Sequence, residues 1–326
     1  MSMRIAFHAP AAEFTRQILE LLKYKLTDDT LVVWQPDDPT PPEGIEVLVA
    51  LGPVTRETLR SLPGLVLVQT LSDGYEAVDI EAATELGVWV SYAPADITGN
   101  ADSVAEFAVL LLLAAVRRVG VAMASIRANA RDRQLPVPSL MRKTVCIVGP
   151  GKIGAKIAQR LLPFGCRLTA VDRHPLHAPK EMATRPLEEL KEAVAEADFV
   201  LFCVRATKEN THMIDAGVLA AMKKGGVVVN IARGTLIDEH ALYEAVKSGH
   251  IRGAGLDVLE HEPMQPDDPL LTLPQILVTP HIAGVTDLMI EGTADYLVEI
   301  IGKLKKAEKF TSLLNEPRAP RLALHG

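Results

Sequence analysis

Cysteine is scarce in this chain, with only three in 326 residues, an odd number and without metal-ligand spacing. That gives no basis for a disulfide framework or a structural metal site. Cys146, Cys166 and Cys203 each sit in an apolar run (VCIVG, GCRLTAV, LFCV) and read as reduced core residues. Aromatic residues are few, at 4%, beside 48% hydrophobic and 23% charged residues. This ordinary globular balance excludes collagen-like, coiled-coil and disordered chains. Positive charge is also in deficit: 34 Lys and Arg against 41 acids leave a net charge of −7. The nearest approach to a basic tract, Lys303–Lys309 (KLKKAEK), is interrupted by Leu304, Ala307 and Glu308 and reads as a solvated helix face. Nucleic acid is therefore not an expected partner. No leader is visible, since Arg4 and Glu13 bracket a run too short for a signal peptide. The longest apolar stretch, Phe107–Val116, is about half a membrane span, so a buried helix in a cytoplasmic protein is expected instead.

What is present is length and rhythm. At about 150 residues per domain, the chain has room for roughly two. Apolar runs of strand length alternate with segments of helical period, the pattern of parallel sheets with crossover helices. Strands are expected at Met3–Phe7, Leu31–Gln35, Val47–Leu51, Leu65–Thr70 and Val88–Tyr92, with helices at Ala11–Leu26, Thr55–Leu62 and Val78–Leu86. A long apolar helix over Thr98–Val119, with Asp102 as N-cap, and a polar connector over Ala122–Leu140 follow. A second series places strands at Thr144–Val148, Arg167–Val171, Phe199–Val204, Gly226–Ile231, Gly253–Val258 and Ile276–Val278. Helices lie between them at Ile153–Leu162, Leu187–Val194, Ala216–Met222 and Glu239–Ser248. A final helix, Thr286–Lys303, precedes a Pro-containing tail, Asn315–Gly326, expected to be poorly ordered at its end. Two Rossmann-like α/β units fit this rhythm.

Glycines at 149, 151 and 154 form a G-x-G-x-x-G that directly follows an apolar strand and opens a helix. The spacing alone is weak, but that context is the one a dinucleotide needs. Gly149 permits the tight turn, Gly151 lets a pyrophosphate approach the backbone, and Gly154 lets helix and strand pack closely. The exposed amides and positive dipole at the helix start suit phosphate. The next strand ends in Asp172, where a carboxylate can accept hydrogen bonds from a ribose and repels a 2′-phosphate, favouring NAD over NADP. The adjacent Arg173 and His174 temper that preference.

Three later strand ends present ionisable groups: Arg233 in Val227–Gly234, then Asp257, Glu260, His261 and Glu262 in Gly253–Pro263, and His281 in Val278–Gly284. Open α/β sheets place ligands at such ends. At this point the chain resembles the D-isomer-specific 2-hydroxyacid dehydrogenases. The motifs that carry the resemblance are Asn100-Ala-Asp-Ser-Val-Ala-Glu106, the glycine loop, Asn230-Ile-Ala-Arg-Gly234, Leu256-Asp-Val…Glu-Pro263 and Thr279-Pro-His-Ile-Ala-Gly284. The resemblance implies two Rossmann-like domains with the active site in the cleft between them. It implies catalytic roles for Arg233, Glu262 and His281, with Glu262 preferred to Glu260 because it immediately precedes Pro263. A glutamate there argues against the formate dehydrogenase branch, which has glutamine. For the cofactor it implies Val104, Gly149, Gly151, Lys152, Ile153, Gly154, Asp172, Val204, Ala232 and Asp257, the last near the nicotinamide carboxamide. For the substrate it implies the loop Ser72-Asp73-Gly74, together with Arg233 and His281.

The chemistry explains these residue types. Reduction of a 2-oxoacid builds negative charge on the carbonyl oxygen, and His is the side chain whose ordinary pKa suits its protonation near neutrality. Glu262 on the far ring nitrogen would fix the tautomer. The planar fork of Arg233 can hold a carboxylate and polarise the carbonyl together, which Lys cannot reproduce. Departures from the family pattern are also visible. Asp73 stands where a small neutral residue is usual, and its carboxylate is expected to turn away from an anionic substrate or to pair with a cation. Arg205 replaces a residue that is often proline, and Tyr92-Ala-Pro-Ala95 replaces Asn-x-Pro-Gly.

The expected activity is interconversion of a small D-2-hydroxy acid and its 2-oxoacid with NAD, by an enzyme expected to pair as a homodimer through its nucleotide domain. An interaction protein sensing NAD, similar to the C-terminal-binding-protein corepressors, is the competing reading, weakened by short flanks. A phosphoglycerate dehydrogenase with a regulatory domain is disfavoured because the sequence stops at Gly326. The expected division is a discontinuous, flavodoxin-like substrate domain of residues 1–98 plus 288–326 and a nucleotide domain of residues 99–287.

Overall fold

The computed structural model describes residues 2–128, 136–173 and 182–325. The chain divides into two compact units, Met1–Asn100 with Val285–Gly326, and Ala101–Gly284.

In the first unit, β1 (Arg4–His8), α1 (Glu13–Lys25), β2 (Thr30–Val33), β3 (Val47–Ala50), α2 (Arg56–Ser61), β4 (Leu67–Thr70), α3 (Ile80–Glu85) and β5 (Trp89–Ser91) follow in sequence. The strands form an all-parallel sheet of order β2-β1-β3-β4-β5. Every residue of β3 and β4 is buried, as expected when helices cover both faces, whereas the edge strand β2 is exposed at both ends.

The second unit opens with α4 (Asn100–Val116) and α5 (Val119–Arg127). It continues through β6 (Thr144–Val148), α6 (Lys152–Leu161), β7 (Arg167–Asp172), β8 (Ala183–Pro186), α7 (Leu190–Glu196) and β9 (Phe199–Phe202). It ends with α8 (Ala216–Ala221), β10 (Gly226–Asn230), α9 (Glu239–Lys247), β11 (Ile251–Leu256) and β12 (Ile276–Val278). Its seven strands are all parallel, in the order β12-β11-β10-β9-β6-β7-β8. The order reverses at β6, so β6 and β9 flank the switch point at which such sheets take ligands.

The last helix, α10 (Asp287–Lys305), returns to the first unit because its apolar stripe needs a partner. Ile290, Ala294, Leu297, Ile301 and Leu304 recur at helical spacing and join Ile18 and Leu22 of α1 and Ile5 and Phe7 of β1 in one core. Each such side chain fully buried contributes up to about 1.5–3 kcal/mol.

Four local expectations need correction. The long helix starts at Asn100 and stops at Val116, after which Arg118, with φ of 55°, turns the chain into the separate helix α5. Asp102 is not its N-cap: it lies inside the first turn, and its carboxylate meets Arg160 at 2.9 Å and Lys156 at 3.1 Å on α6. Part of the expected polar connector is thus the helical α5, while residues 129–135 lie outside the described residues. The strand β8 is not expected from sequence, because ATRP holds no apolar run and ends in proline, as edge strands do.

The tail is the fourth. Asn315 accepts from the Val90 amide at 2.8 Å and donates to the Val88 carbonyl at 2.9 Å, and Leu313 forms an antiparallel bridge to Ser91. Farther on, Trp89 Nε1 donates to the Leu322 carbonyl at 2.9 Å, and Arg321 donates to the carbonyls of Leu62 and Leu65. The tail therefore covers the edge of β5, which would otherwise expose unpaired backbone. All three cysteines are free thiols, and burial pushes Cys146 up to about 11 and Cys203 up to about 12, beyond nucleophilic use near neutrality. Among the described residues no single helix is long and apolar enough to cross a membrane.

Candidate active site

The register of the second sheet gathers the expected residues at one edge. Val148, Phe202, Asn230, Leu256 and Val278 stand in a row across adjacent strands, so the segments that follow them leave the sheet together. These segments are the glycine loop, the Val204 turn, and the turns bearing Arg233, Asp257 and His281. Asp172 ends β7 beside the same edge.

The glycine loop has the shape a pyrophosphate requires. Gly149 adopts φ of 79°, and a Cβ there would stand 2.6 Å from the Val204 Cα, so only glycine lets β6 and the β9 turn meet at the switch point. A Cβ at Gly154 would lie 3.0 Å from the Gly149 carbonyl oxygen, which explains the close packing of helix on strand. At Gly151, by contrast, there is open space, and as the N-cap of α6 it has no side chain to offer the first amides. The backbone donors at that helix start suit an anion. Lys152 is exposed and Ile153 half-buried beside them, and Asp172 is half-buried at its strand end. Val104 is buried in the core cluster that holds Ile147 and Ile157 and against which Ile153 packs. Arg173 is exposed, and His174 lies outside the described residues.

On the other side of the switch point, His281 Nδ1 lies 2.8 Å from Glu262 Oε2. An ionised carboxylate only accepts, so this contact calls for the Nδ1–H tautomer or the imidazolium. The other Glu262 oxygen accepts from the Leu259 amide at 2.9 Å, which fixes the carboxylate plane. His281 has φ of 54°, a left-handed conformation that costs a non-glycine residue about 1 kcal/mol or more. Asp257 holds it there. This buried carboxylate accepts from Ile282 N at 2.9 Å, Ala283 N at 2.8 Å and Thr279 Oγ1 at 2.6 Å, while its carbonyl accepts from the His281 amide at 2.8 Å. Asp257 thus builds the histidine loop, a role its sequence position did not suggest.

Arg233 is set by its own turn. Asn230 donates from its side-chain amide to the Arg233 carbonyl and accepts from the Ala232 amide, and the guanidinium reaches the Ala232 carbonyl at 2.7 Å. Gly234 follows because a Cβ there would fall 1.8 Å from the Leu259 carbonyl carbon. The arginine turn and the Glu262 loop are therefore in direct backbone contact. Asn230 and Gly234 both lay within a quoted motif, but their packing could not be read from it.

In the first unit, the loop after β4 carries Ser72, Asp73 and Gly74. Thr70 Oγ1 donates to the Ser72 carbonyl at 2.7 Å, and the Ala93 amide donates to the same oxygen at 3.2 Å. The Asp73 carboxylate accepts from the Ala95 amide at 3.4 Å, toward the Tyr92–Ala95 segment. Tyr75 and Tyr92 pack beside this loop with ring centroids 5.8 Å apart. Arg205 accepts through its carbonyl from Asn210 at 2.9 Å.

Comparison with known proteins places this geometry. Residues 109–283 match the D-isomer specific 2-hydroxyacid dehydrogenase, NAD binding domain. A glyoxylate reductase of Korarchaeum cryptofilum is 34% identical, over 94% of this chain and 96% of its own length. A D-3-phosphoglycerate dehydrogenase of Methanocaldococcus jannaschii is 36% identical over 82% of this chain, which spans about half (51%) of that relative. The structure of an NADPH-dependent glyoxylate/hydroxypyruvate reductase from Sinorhizobium meliloti, in complex with citrate, superposes with a TM-score of 0.83. It is 27% identical, and the match covers 97% of this chain and 99% of that one. The chain belongs to the D-isomer specific 2-hydroxyacid dehydrogenase family of NAD-binding oxidoreductases.

Proposed function

We propose that this protein reduces a small 2-oxoacid to the D-2-hydroxy acid, or runs the reverse oxidation, with NAD. The observation that carries this reading is the 2.8 Å contact of His281 Nδ1 with a Glu262 carboxylate whose other oxygen is already bonded to backbone. Such a pair leaves Nε2 of His281 to deliver a proton to the carbonyl oxygen, with Glu262 stabilising the imidazolium before transfer. Arg233 holds the substrate carboxylate by its planar fork. The amides of Ser72, Asp73 and Gly74 are assigned to the same carboxylate. The dinucleotide is assigned to Gly149, Gly151, Lys152, Ile153, Gly154, Asp172, Val204, Ala232 and Asp257, and when bound it supplies the hydride. Val104, in the core cluster against which Ile153 packs, is assigned to the dinucleotide with them.

Asp172 at the end of β7 supports NAD over NADP, since a carboxylate repels a 2′-phosphate. The names of two of the three relatives, a glyoxylate reductase and a glyoxylate/hydroxypyruvate reductase, support a short substrate. A second copy of this chain is the proposed partner, because α5 has no buried residue and exposes Val119, Met123 and Ile126. Three free, buried or half-buried thiols suit a cytoplasmic location.

The test is NADH oxidation with glyoxylate, hydroxypyruvate, pyruvate and bulkier 2-oxoacids. Turnover of at least one short member is expected. NADH binding without turnover of any of them would overturn the enzyme reading, and capture of a protein partner that changes with NADH would favour an interaction role.

A further inference from the structure

The loop bearing Glu262 is tied down by a residue outside the Arg, Glu and His set. Glu239 is the first residue of α9, whose N-terminal amides are already served by Asp238, the N-cap accepting from Ala241 at 2.9 Å. Its carboxylate does something else: Oε1 accepts from the backbone amide of Glu260 at 2.7 Å. Burial, with Asp268 and Glu260 nearby, holds the Glu239 carboxyl above its ordinary range, against the opposing help of the Glu260 amide and of His261. A carboxylate placed at that disadvantage indicates a contact of use to the loop.

The other ties of this loop show what that use is. The Leu259 amide fixes Glu262 internally at 2.9 Å, so the position of Glu262 follows that of Leu259 and Glu260. His212 Nε2 meets Glu260 Oε1 at 2.9 Å, and the Gly234 backbone abuts Leu259, so both bound the loop on one side. Among these, Glu239 alone hydrogen-bonds the loop backbone from an α-helix. We propose that Glu239 is a positioning residue, which sets the depth of the Leu259–Pro263 loop so that Glu262 reaches His281. Without it the Glu260 amide loses its partner and the loop can lift, and a displacement near 1 Å suffices to break a hydrogen bond and misplace a proton donor. The kinetic part of this inference rests on the dehydrogenase reading; the structural part does not.

The test compares the full-length protein with Glu239→Ala, Glu239→Asp and Glu239→Gln. Gln retains an acceptor at the same reach, whereas Asp keeps the charge but is one methylene too short. Histidine ring 15N shifts, recorded at about pH 9 where imidazoles are ordinarily neutral, report the tautomer, with the His281 signal assigned from His281→Ala. The wild type and Glu239→Gln should hold the Nδ1–H tautomer. Glu239→Ala and Glu239→Asp should move toward the Nε2–H form that free imidazole favours. In turnover, kcat should fall on the order of tenfold in the Ala and Asp variants, as for one lost hydrogen bond, with KM nearly unchanged and Gln close to wild type. If Glu239→Ala does not fold, Glu239→Asp carries the comparison. An unchanged tautomer and kcat in the Asp variant would overturn the proposal. A wild type that turns over no 2-oxoacid would overturn the dehydrogenase reading while the tautomer still decides the tether.

Discussion

The two polar loops to which the chemistry is assigned are held in contrasting ways. In the second unit, the Asp257 carboxylate takes three donors between 2.6 and 2.9 Å, and Glu262 uses both of its oxygens at 2.8 and 2.9 Å. In the first unit, the loop is held through backbone, with the Ser72 carbonyl accepting from Thr70 Oγ1 at 2.7 Å and from the Ala93 amide at 3.2 Å. The difference follows from the work assigned to each. Proton transfer needs two side chains in one geometry, so their surroundings must be fully committed. A carboxylate can be gripped by backbone amides, whose positions depend little on the side chains they carry.

The contrast can be broken most severely at His281. His281→Ala is expected to lower kcat with a 2-oxoacid by about 10²–10⁴-fold, the range of a general acid, while NADH binding measured by fluorescence stays nearly intact. Next is the scaffold beneath it. Asp257→Ala strands several donors and releases a left-handed turn, so chemical denaturation should show a loss of about 3 kcal/mol, with turnover falling together with it.

The ties between helices in the second unit matter less. Arg160 and then Lys156 hold the Asp102 carboxyl below the ordinary carboxylate range. A depressed folded pKa means that this stabilisation is complete above the ordinary range and fades as pH falls through the depressed value. Asp102→Asn should therefore cost about 1 kcal/mol at neutral pH, the difference from wild type shrinking at acid pH, as followed by thermal melts. The smallest effect belongs to the loop of Ser72, Asp73 and Gly74. Asp73→Asn keeps an acceptor for the Ala95 amide but removes a negative charge near an anion site, so KM for 2-oxoacids should fall about threefold at low salt, and less at high salt.

Much of this arrangement was legible in the sequence because it depends on short-range chemistry. The alternation of apolar runs placed eleven of the twelve strands found among the described residues, and β8 escaped because an edge strand ending in Pro186 carries no apolar signal. The glycine loop and the residues Arg233, Glu262 and His281 were found from spacing and resemblance, and the structure brings the latter two into contact. What stayed hidden depends on contacts distant in sequence. The tail is expected from sequence to be poorly ordered at its end because nothing local shows that Asn315 will pair with the edge of β5, 225 residues away. Asp102 looked like a cap because Arg160 is 58 residues away. Gly234 is visible in the sequence only as the end of a motif, because the backbone it must avoid lies at Leu259.

The most direct test of the central claim follows the hydride itself. NADH carrying deuterium at C4, prepared separately as each of the two epimers, is incubated with the protein and the 2-oxoacid it reduces fastest, and the product is analysed by mass spectrometry and NMR. The account predicts that one epimer, and not the other, places deuterium on C2 of the 2-hydroxy acid, and that His281→Ala nearly abolishes the product. A 2-hydroxy acid formed without label from either epimer, or no product from any short 2-oxoacid, would contradict it.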